Sequence, residues 1–191
     1  MATIEKPYKF IPKALELPSD IYEILTTEVD FKRGTLSTYG RTIEERRSMA
    51  WQTSVGVECT YGGKIMPPIP FTQTVLMIKA QIEAITGVEF DSVLCFMYET
   101  GRDSMGFHKD DVGVSRGKYI AGITIGATRT LAIRDNVTKE KERFEVGHGD
   151  MFCMFDDCQD RYMHSIEQLK PSDPEPGVRI ALTFRQMRII S

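Results

Sequence analysis

From residue 93 onward the chain is a succession of short apolar or alternating runs, at 93–98, 119–125, 130–134, 143–146, 151–155, 163–169 and 178–185. Gly, Asp, Asn and Pro separate them, and nothing between them carries the 3.6-residue spacing of a helix. Runs of this length at this interval are strands. Seven strands without intervening helices point to an antiparallel sandwich or a jelly-roll barrel. The first half reads differently. Pro18-Ser19-Asp20 before Ile21, Leu25 and Val29 is the start of a capped, amphipathic helix. Residues 71–86 place apolar side chains at 75, 76, 78, 82 and 85, a second helix that Gly87 stops. Between the two, 34–50 is polar and is expected as a loop or short irregular element, and Met66-Pro67-Pro68-Ile69-Pro70 as a rigid connector. The expected fold class is α+β, mainly β: a jelly-roll core with N-terminal helices packed on one sheet.

The 191 residues divided by about 150 per domain give roughly 1.3, so one domain. Within it, 1–90 is read as the helical and lid-forming part and 91–187 as the jelly-roll core. Composition is ordinary for a globular chain, with 41% hydrophobic and 27% charged residues. A formal net charge of −3 excludes recognition through a large overall positive charge but leaves room for a local basic patch. No run approaches the ~18 apolar residues of a membrane span, and residues 1–10 lack the form of a secretory signal. The four cysteines form no C-x-x-C pair and are read as reduced thiols, with Cys95 and Cys153 buried. The expectation is a cytoplasmic monomer, nuclear in a eukaryotic host, without membrane contact.

Three histidines, His108, His148 and His164, bound what imidazole chemistry is available. His108-Lys109-Asp110 is a His-x-Asp, and residues i and i+2 of an extended segment project to the same side. One imidazole and one carboxylate there can grip a single ion, and a second His would complete a two-His-one-carboxylate facial triad of the non-haem Fe(II) type. The same tripeptide also fits a solvated loop. His148 lies in a Gly-His-Gly-Asp turn composition, whereas His164 lies in a strand-like run that gives a ligand a fixed direction. His164 is the favoured partner, with His148 the alternative.

Residues 178–185 alternate cleanly. Ile180, Leu182 and Phe184 share one face; Arg179, Ala181, Thr183 and Arg185 share the other. The arginines stand roughly 20 Å apart along the strand at ~3.3 Å per residue. Arg grips carboxylates bidentately, and small Ala181 and Thr183 leave room between them for a small dicarboxylic acid. Two surface arginines are the plainer reading of this strand alone. Beside a facial triad, the pair fits 2-oxoglutarate, a dicarboxylate that chelates iron through its keto-acid end.

Taken in order, these motifs resemble the AlkB family of Fe(II)/2-oxoglutarate dioxygenases, which dealkylate nucleic-acid bases. The likeness runs from Ala50 to Gln186. Met49-Ala50-Trp51 with Thr60-Tyr61-Gly62 resembles the nucleotide-recognition lid, and 103–111 with the preceding strand to Tyr98 resembles the first metal motif. Residues 123–130 resemble the strand and turn that follow, 147–151 the turn of the second sheet, and 179–185 the closing Arg-x-x-x-x-x-Arg.

The resemblance implies a double-stranded β-helix. His108, Asp110 and His164 would bind Fe(II), and His148 would fall in the turn. Arg179 and Arg185 would pair with the two carboxylates of 2-oxoglutarate, with Tyr98 and Thr183 beside them. Tyr61 would stack on a flipped base opposite the His108 ring, Trp51 would shape the lid or else lie in the core, and Asp111 would face the polar edge of the base. Arg41 and Arg47, with Arg46, would contact phosphates. The implied partners are O2 and alkylated single-stranded DNA or RNA, with a duplex as a further case.

The chain departs from the family pattern where Phe96 and Ala181 replace asparagines near the co-substrate, and where Val112 replaces an acidic residue. The implied activity is oxidative demethylation of N-alkylated bases, with release of succinate, CO2 and formaldehyde. The alternative is a 2-oxoglutarate oxygenase that hydroxylates a protein side chain or a small metabolite.

Overall fold

The structure is a computed structural model that describes residues 5–38, 41–61, 64–110 and 119–187. Its elements run β1 (Tyr8–Ile11), α1 (Ile21–Glu28), β2 (Lys32–Thr38), β3 (Arg41–Thr53), β4 (Cys59–Tyr61), β5 (Lys64–Met66), α2 (Gln73–Thr86), β6 (Ser92–Tyr98), β7 (Met105–His108), β8 (Ile120–Gly126), β9 (Arg129–Asp135), β10 (Lys141–Val146), β11 (Met151–Met154), α3 (Cys158–Arg161), β12 (Tyr162–Ile166) and β13 (Arg179–Arg185). A seven-stranded sheet has the order β1-β11-β8-β13-β6-β3-β2, a four-stranded sheet the order β10-β9-β12-β7, and β4-β5 is a separate hairpin. The pairings are antiparallel. This is the mainly-β jelly-roll expected from the run of short strands, and each of the seven runs is a strand.

Two cores follow from strand alternation. Ile180, Leu182 and Phe184 of β13 join Val93 and Cys95 of β6 and Ile123 and Ile125 of β8 beneath Ile21 and Leu25 of α1 and Val75, Ile78 and Ile82 of α2. The helices therefore cover the outer face of the larger sheet, and each such side chain contributes about 1.5–3 kcal/mol by leaving water. Leu94, Phe96 and Tyr98 of β6 point the other way, toward Leu131, Ile133, Val146 and Phe152, and form the core between the sheets. Gly87 ends α2 in the left-handed region, φ 68°, where its N–H still reaches the Glu83 carbonyl.

The stretch 34–50 corrects the sequence reading. It is not a loop, since most of it forms β2 and β3, with β3 paired to β6 from Ser48↔Met97 to Thr53↔Ser92. The alternation was hidden by charge. Glu45 and Arg47 lie in the middle of β3, where a charged side chain on a strand usually marks a solvated face. Here tertiary partners hold them: Glu45 is buried against Lys64 at 2.5 Å, and Arg47 is bound to Tyr61. β1 and β7 are too short for periodicity to reveal. β1 is held by pairing with β11 and by Tyr8 packing on Phe152 and Tyr162.

All four cysteines are buried and free. Burial pushes the Cys59 thiol up to about 11 and the Cys158 thiol up to about 12, so neither is a ready nucleophile.

Candidate metal centre and co-substrate cavity

The centre is built on the smaller sheet. β7 and β12 run antiparallel with His108 directly opposite His164, which brings the two imidazole centroids to 4.2 Å. Asp110 follows β7 by two residues. Its Oδ1 lies 3.4 Å from His108 Nε2 and 3.8 Å from His164 Nε2. One ligand atom from each of the three residues lies within 4.8 Å of the others, a separation that one ion can bridge. The His108 Nδ1 is 2.8 Å from the Gly106 carbonyl. A carbonyl only accepts, so Nδ1 carries the proton and Nε2 presents its lone pair to the centre.

Electrostatics prepares the same set for a cation. Burial alone would raise the Asp110 carboxyl, but the Arg185 guanidinium 3.3 Å from Oδ2 and the neighbouring His108 outweigh it. They hold Asp110 well below the usual carboxylate range. Burial, the largest influence on His164, lowers it to about 4. At neutral pH the carboxylate is charged and His164 is neutral, the states a metal requires. Gln159 of α3 accepts the Asp110 backbone N–H at 2.8 Å through Oε1 and so fixes the carboxylate-bearing residue from outside.

A cavity opens beside this centre. It is lined by His108, Asp110 and His164, by Tyr98, Thr124, Arg179 and Thr183, and by the apolar Phe96, Met105, Leu131 and Ala181. The alternation read in 178–185 is observed: Arg179, Ala181 and Thr183 face the cavity while their neighbours face the helices. Arg179 donates to Thr124 Oγ1 at 3.0 Å and lies 5.1 Å from the centre of the Tyr98 ring. Its Nε and Nη1, and the same two atoms of fully buried Arg185, have no hydrogen-bond partner among the described residues. Buried guanidinium donors left open in this way call for an anionic ligand. The residues present therefore fit a metal ion and a dicarboxylate together.

The lid residues divide. Tyr61 of β4 sets its ring edge-on to Phe96 at 5.6 Å, and its hydroxyl donates to the Met105 sulfur at 3.6 Å; both contacts line the cavity. Arg47, read from the sequence as a phosphate contact, turns inward. Its Nη2 donates to Tyr61 Oη at 3.1 Å and Nη1 to the Ser104 carbonyl at 3.3 Å, with the guanidinium 5.3 Å from the Phe96 ring centre. Arg46 is exposed and donates to Gln168. Trp51 takes the core alternative: it is 1% exposed and donates to the Val57 carbonyl at 2.9 Å. His148 lies in the turn before β11, its Nδ1 accepting the Gly126 N–H. Asp111 and the side chain of Arg41 lie outside the described residues. Periodicity could not have singled out Gln159 or the inward Arg47, because one polar residue satisfied by a distant segment leaves no repeating signal.

Comparison with known proteins agrees with this geometry. The family described as "2OG-Fe(II) oxygenase superfamily" matches residues 9–185. A protein of Acanthamoeba polyphaga mimivirus, "Uncharacterized protein R406", is 52% identical over 184 residues, covering 95% of this chain and 94% of the viral one. "Alpha-ketoglutarate-dependent dioxygenase alkB homolog 3" of Bos taurus is 32% identical over 90% of this chain. "DNA oxidative demethylase ALKBH2" of Bos taurus is 26% identical over 88%. The chain spans 62% and 64% of the length of these two bovine relatives. Among solved structures, "The structure of OsALKBH1" superposes with a TM-score of 0.64 over 96% of this chain and 100% of the other, at 16% identity, a likeness of fold. Among the described residues no helix is long and apolar enough to cross a membrane.

Proposed function

The chain belongs to the 2OG-Fe(II) oxygenase superfamily and to its AlkB family, and from that premise we propose that it oxidatively demethylates N-alkylated bases in DNA or RNA. Fe(II) is its cofactor and 2-oxoglutarate its co-substrate. Bound together with O2, they supply a two-electron oxidation of an N-methyl C–H bond, with succinate and CO2 as by-products. The hydroxymethyl group left on the base then departs as formaldehyde and restores the N–H.

The residues of this chain position and select. In this reading His108, Asp110 and His164 would hold the iron, and Arg185, 3.3 Å from Asp110 Oδ2, keeps that carboxylate ionised. Arg179, with Tyr98 and Thr183, receives the co-substrate carboxylate. The observation that supports the substrate half of the reading is an aromatic group at the cavity wall: Tyr61, braced by Arg47, packs on Phe96 and Met105, which line the cavity together with His108. A base stacked on such a platform gains about 1–3 kcal/mol, comparable with the few kcal/mol needed to extrude it from a strand. We assign Asp111 to the polar edge of the base and Arg41 to the strand backbone, with Trp51 a buried core residue. The net charge of −3 accords with recognition of one flipped base and a short flank, weakened as salt rises. The names of the bovine relatives, a DNA oxidative demethylase among them, support the same substrate class.

The test is a panel of single-stranded DNA and RNA oligonucleotides carrying N1-methyladenine or N3-methylcytosine. Each is incubated with the protein, Fe(II), ascorbate and 2-oxoglutarate and read by mass spectrometry. Loss of one methylene mass unit with stoichiometric succinate is expected, and His164→Ala abolishes it. Succinate produced only with peptides or small metabolites, and never with an alkylated oligonucleotide, would replace this reading by the protein or metabolite hydroxylase.

A further inference from the structure

Arg129 opens β9 and is 1% exposed. It is absent from the cavity wall, and both of its terminal nitrogens donate, while its Nε has no hydrogen-bond partner among the described residues. Nη1 donates to the carbonyl of Thr100 at 3.2 Å. Nη2 reaches the carbonyls of Gly101 at 3.2 Å, Asp103 at 2.7 Å and Glu167 at 2.8 Å. These carbonyls come from two separate segments. Thr100, Gly101 and Asp103 form the turn between β6, which ends at Tyr98, and β7, which ends at His108. Glu167 follows β12, the strand of His164. The turn is itself closed by the Asp103 carboxylate, which accepts the N–H groups of Glu99 and Thr100.

The pairing between the two histidine strands is short and irregular. Only His164↔His108 and Ile166↔Met105 are in register, and the register shifts between them. Two rungs with a register shift hold β12 to β7 less extensively than five rungs hold it to β9, so a contact that joins the ends of the histidine strands adds to their registration.

We propose that Arg129 is a positioning residue for the metal centre: one buried guanidinium ties the His108 strand and the His164 strand together and thereby sets the spacing of the two imidazoles. The proposal rests on the reading of His108, Asp110 and His164 as metal ligands. The planar fork of arginine is what the task requires, since it donates in several fixed directions at once. Here Nη2 alone bridges the two segments while Nη1 holds the Thr100 carbonyl; a lysine ammonium, one atom on a flexible stem, cannot hold both positions at once.

The experiment measures binding of Mn(II), a redox-quiet probe of the iron site. Free Mn(II) is followed by its electron paramagnetic resonance signal in the presence of 2-oxoglutarate. Wild type, Arg129→Lys, Arg129→Met and Ile82→Ala are compared at a temperature where circular dichroism finds each folded. Ile82 lies under the helices in the other core and controls for loss of stability alone. Loss of the groups that orient metal ligands commonly weakens binding about 10–100-fold, and that range is expected for both Arg129 variants, with Ile82→Ala unchanged. If Arg129→Met does not fold, Arg129→Lys decides. Wild-type affinity in Arg129→Lys overturns the proposal. So does an equal loss in Ile82→Ala when its melting temperature is lowered as far. Failure of the wild type to bind Mn(II) would overturn the ligand reading itself, a result distinct from either.

Discussion

Acidification should unfold the metal-free protein through His164, and the size of the effect follows from its surroundings. The side chain is 11% exposed, and burial lowers its pKa to about 4, against an unfolded value near 6.5. Between those values the unfolded chain takes up a proton that the native one refuses. Stability therefore falls as pH drops through the window from about 6.5 to about 4, and is unaffected above it. Carried from pH 7 to pH 5, the difference in proton uptake amounts to about 2 kcal/mol. Asp110 does not contribute over this interval, because it stays ionised in both states. Its share of stability is lost only as pH falls below the ordinary carboxylate range. The assay is urea unfolding in the presence of a chelator at pH 7 and pH 5, for wild type and for His164→Gln, which has no proton to gain. Titrating groups away from the centre cancel in the comparison. The fall in unfolding free energy should be about 2 kcal/mol greater for wild type. Equal falls in the two proteins would refute the argument that His164 is held neutral by burial.

Three further outcomes follow from the same contacts. Trp51→Phe should cost about 1–3 kcal/mol of stability, through a lost indole hydrogen bond and lost packing, yet leave the KM for an alkylated oligonucleotide unchanged; a raised KM with unaltered melting would return Trp51 to the lid. Arg185→Met leaves the Asp110 carboxylate buried without its cation and should cost about 3–5 kcal/mol. Saturating Mn(II) should recover part of that loss, measured as a rise in melting temperature larger than the wild type's. Gly126→Ala should cost more than about 2 kcal/mol, because φ is 88° and the new methyl would stand 2.4 Å from the Val178 carbonyl oxygen; an undiminished melting temperature would show that the turn can re-form.

What could be read from the residues was what repeats. β13 declared both of its faces, since large apolar side chains alternate without a break with arginines or small side chains. α2 declared its spacing and its stop at Gly87. His164 could be preferred to His148 because a strand gives direction and a glycine-flanked turn does not. What escaped was held by single long-range contacts. Glu45 and Arg47 disguised β3 because their partners, Lys64 and Tyr61, come from the following hairpin. Arg129 stood in a turn with nothing local to say that it would be buried beneath backbone carbonyls. Gln159 belongs to a four-residue helix whose importance lies in which backbone N–H it meets. Periodicity reports which side of an element is dry, and these residues depend on what lies across from it.

The division of β13 between helix-covered core and cavity has a consequence for assembly. Shifted by one residue along β6 and β8, the strand would drive both guanidiniums into the apolar layer beneath α1 and α2 and turn Ile180, Leu182 and Phe184 toward the metal centre and its cavity. Each misplaced cation would be desolvated without a partner, at a cost of several kcal/mol, and every side chain of the strand would change faces at once. The arginines that suit this strand to a dicarboxylate thus also act as a proofreading signal for folding: a chain that has closed its larger sheet in the wrong register cannot bury its last strand, and must open and try again.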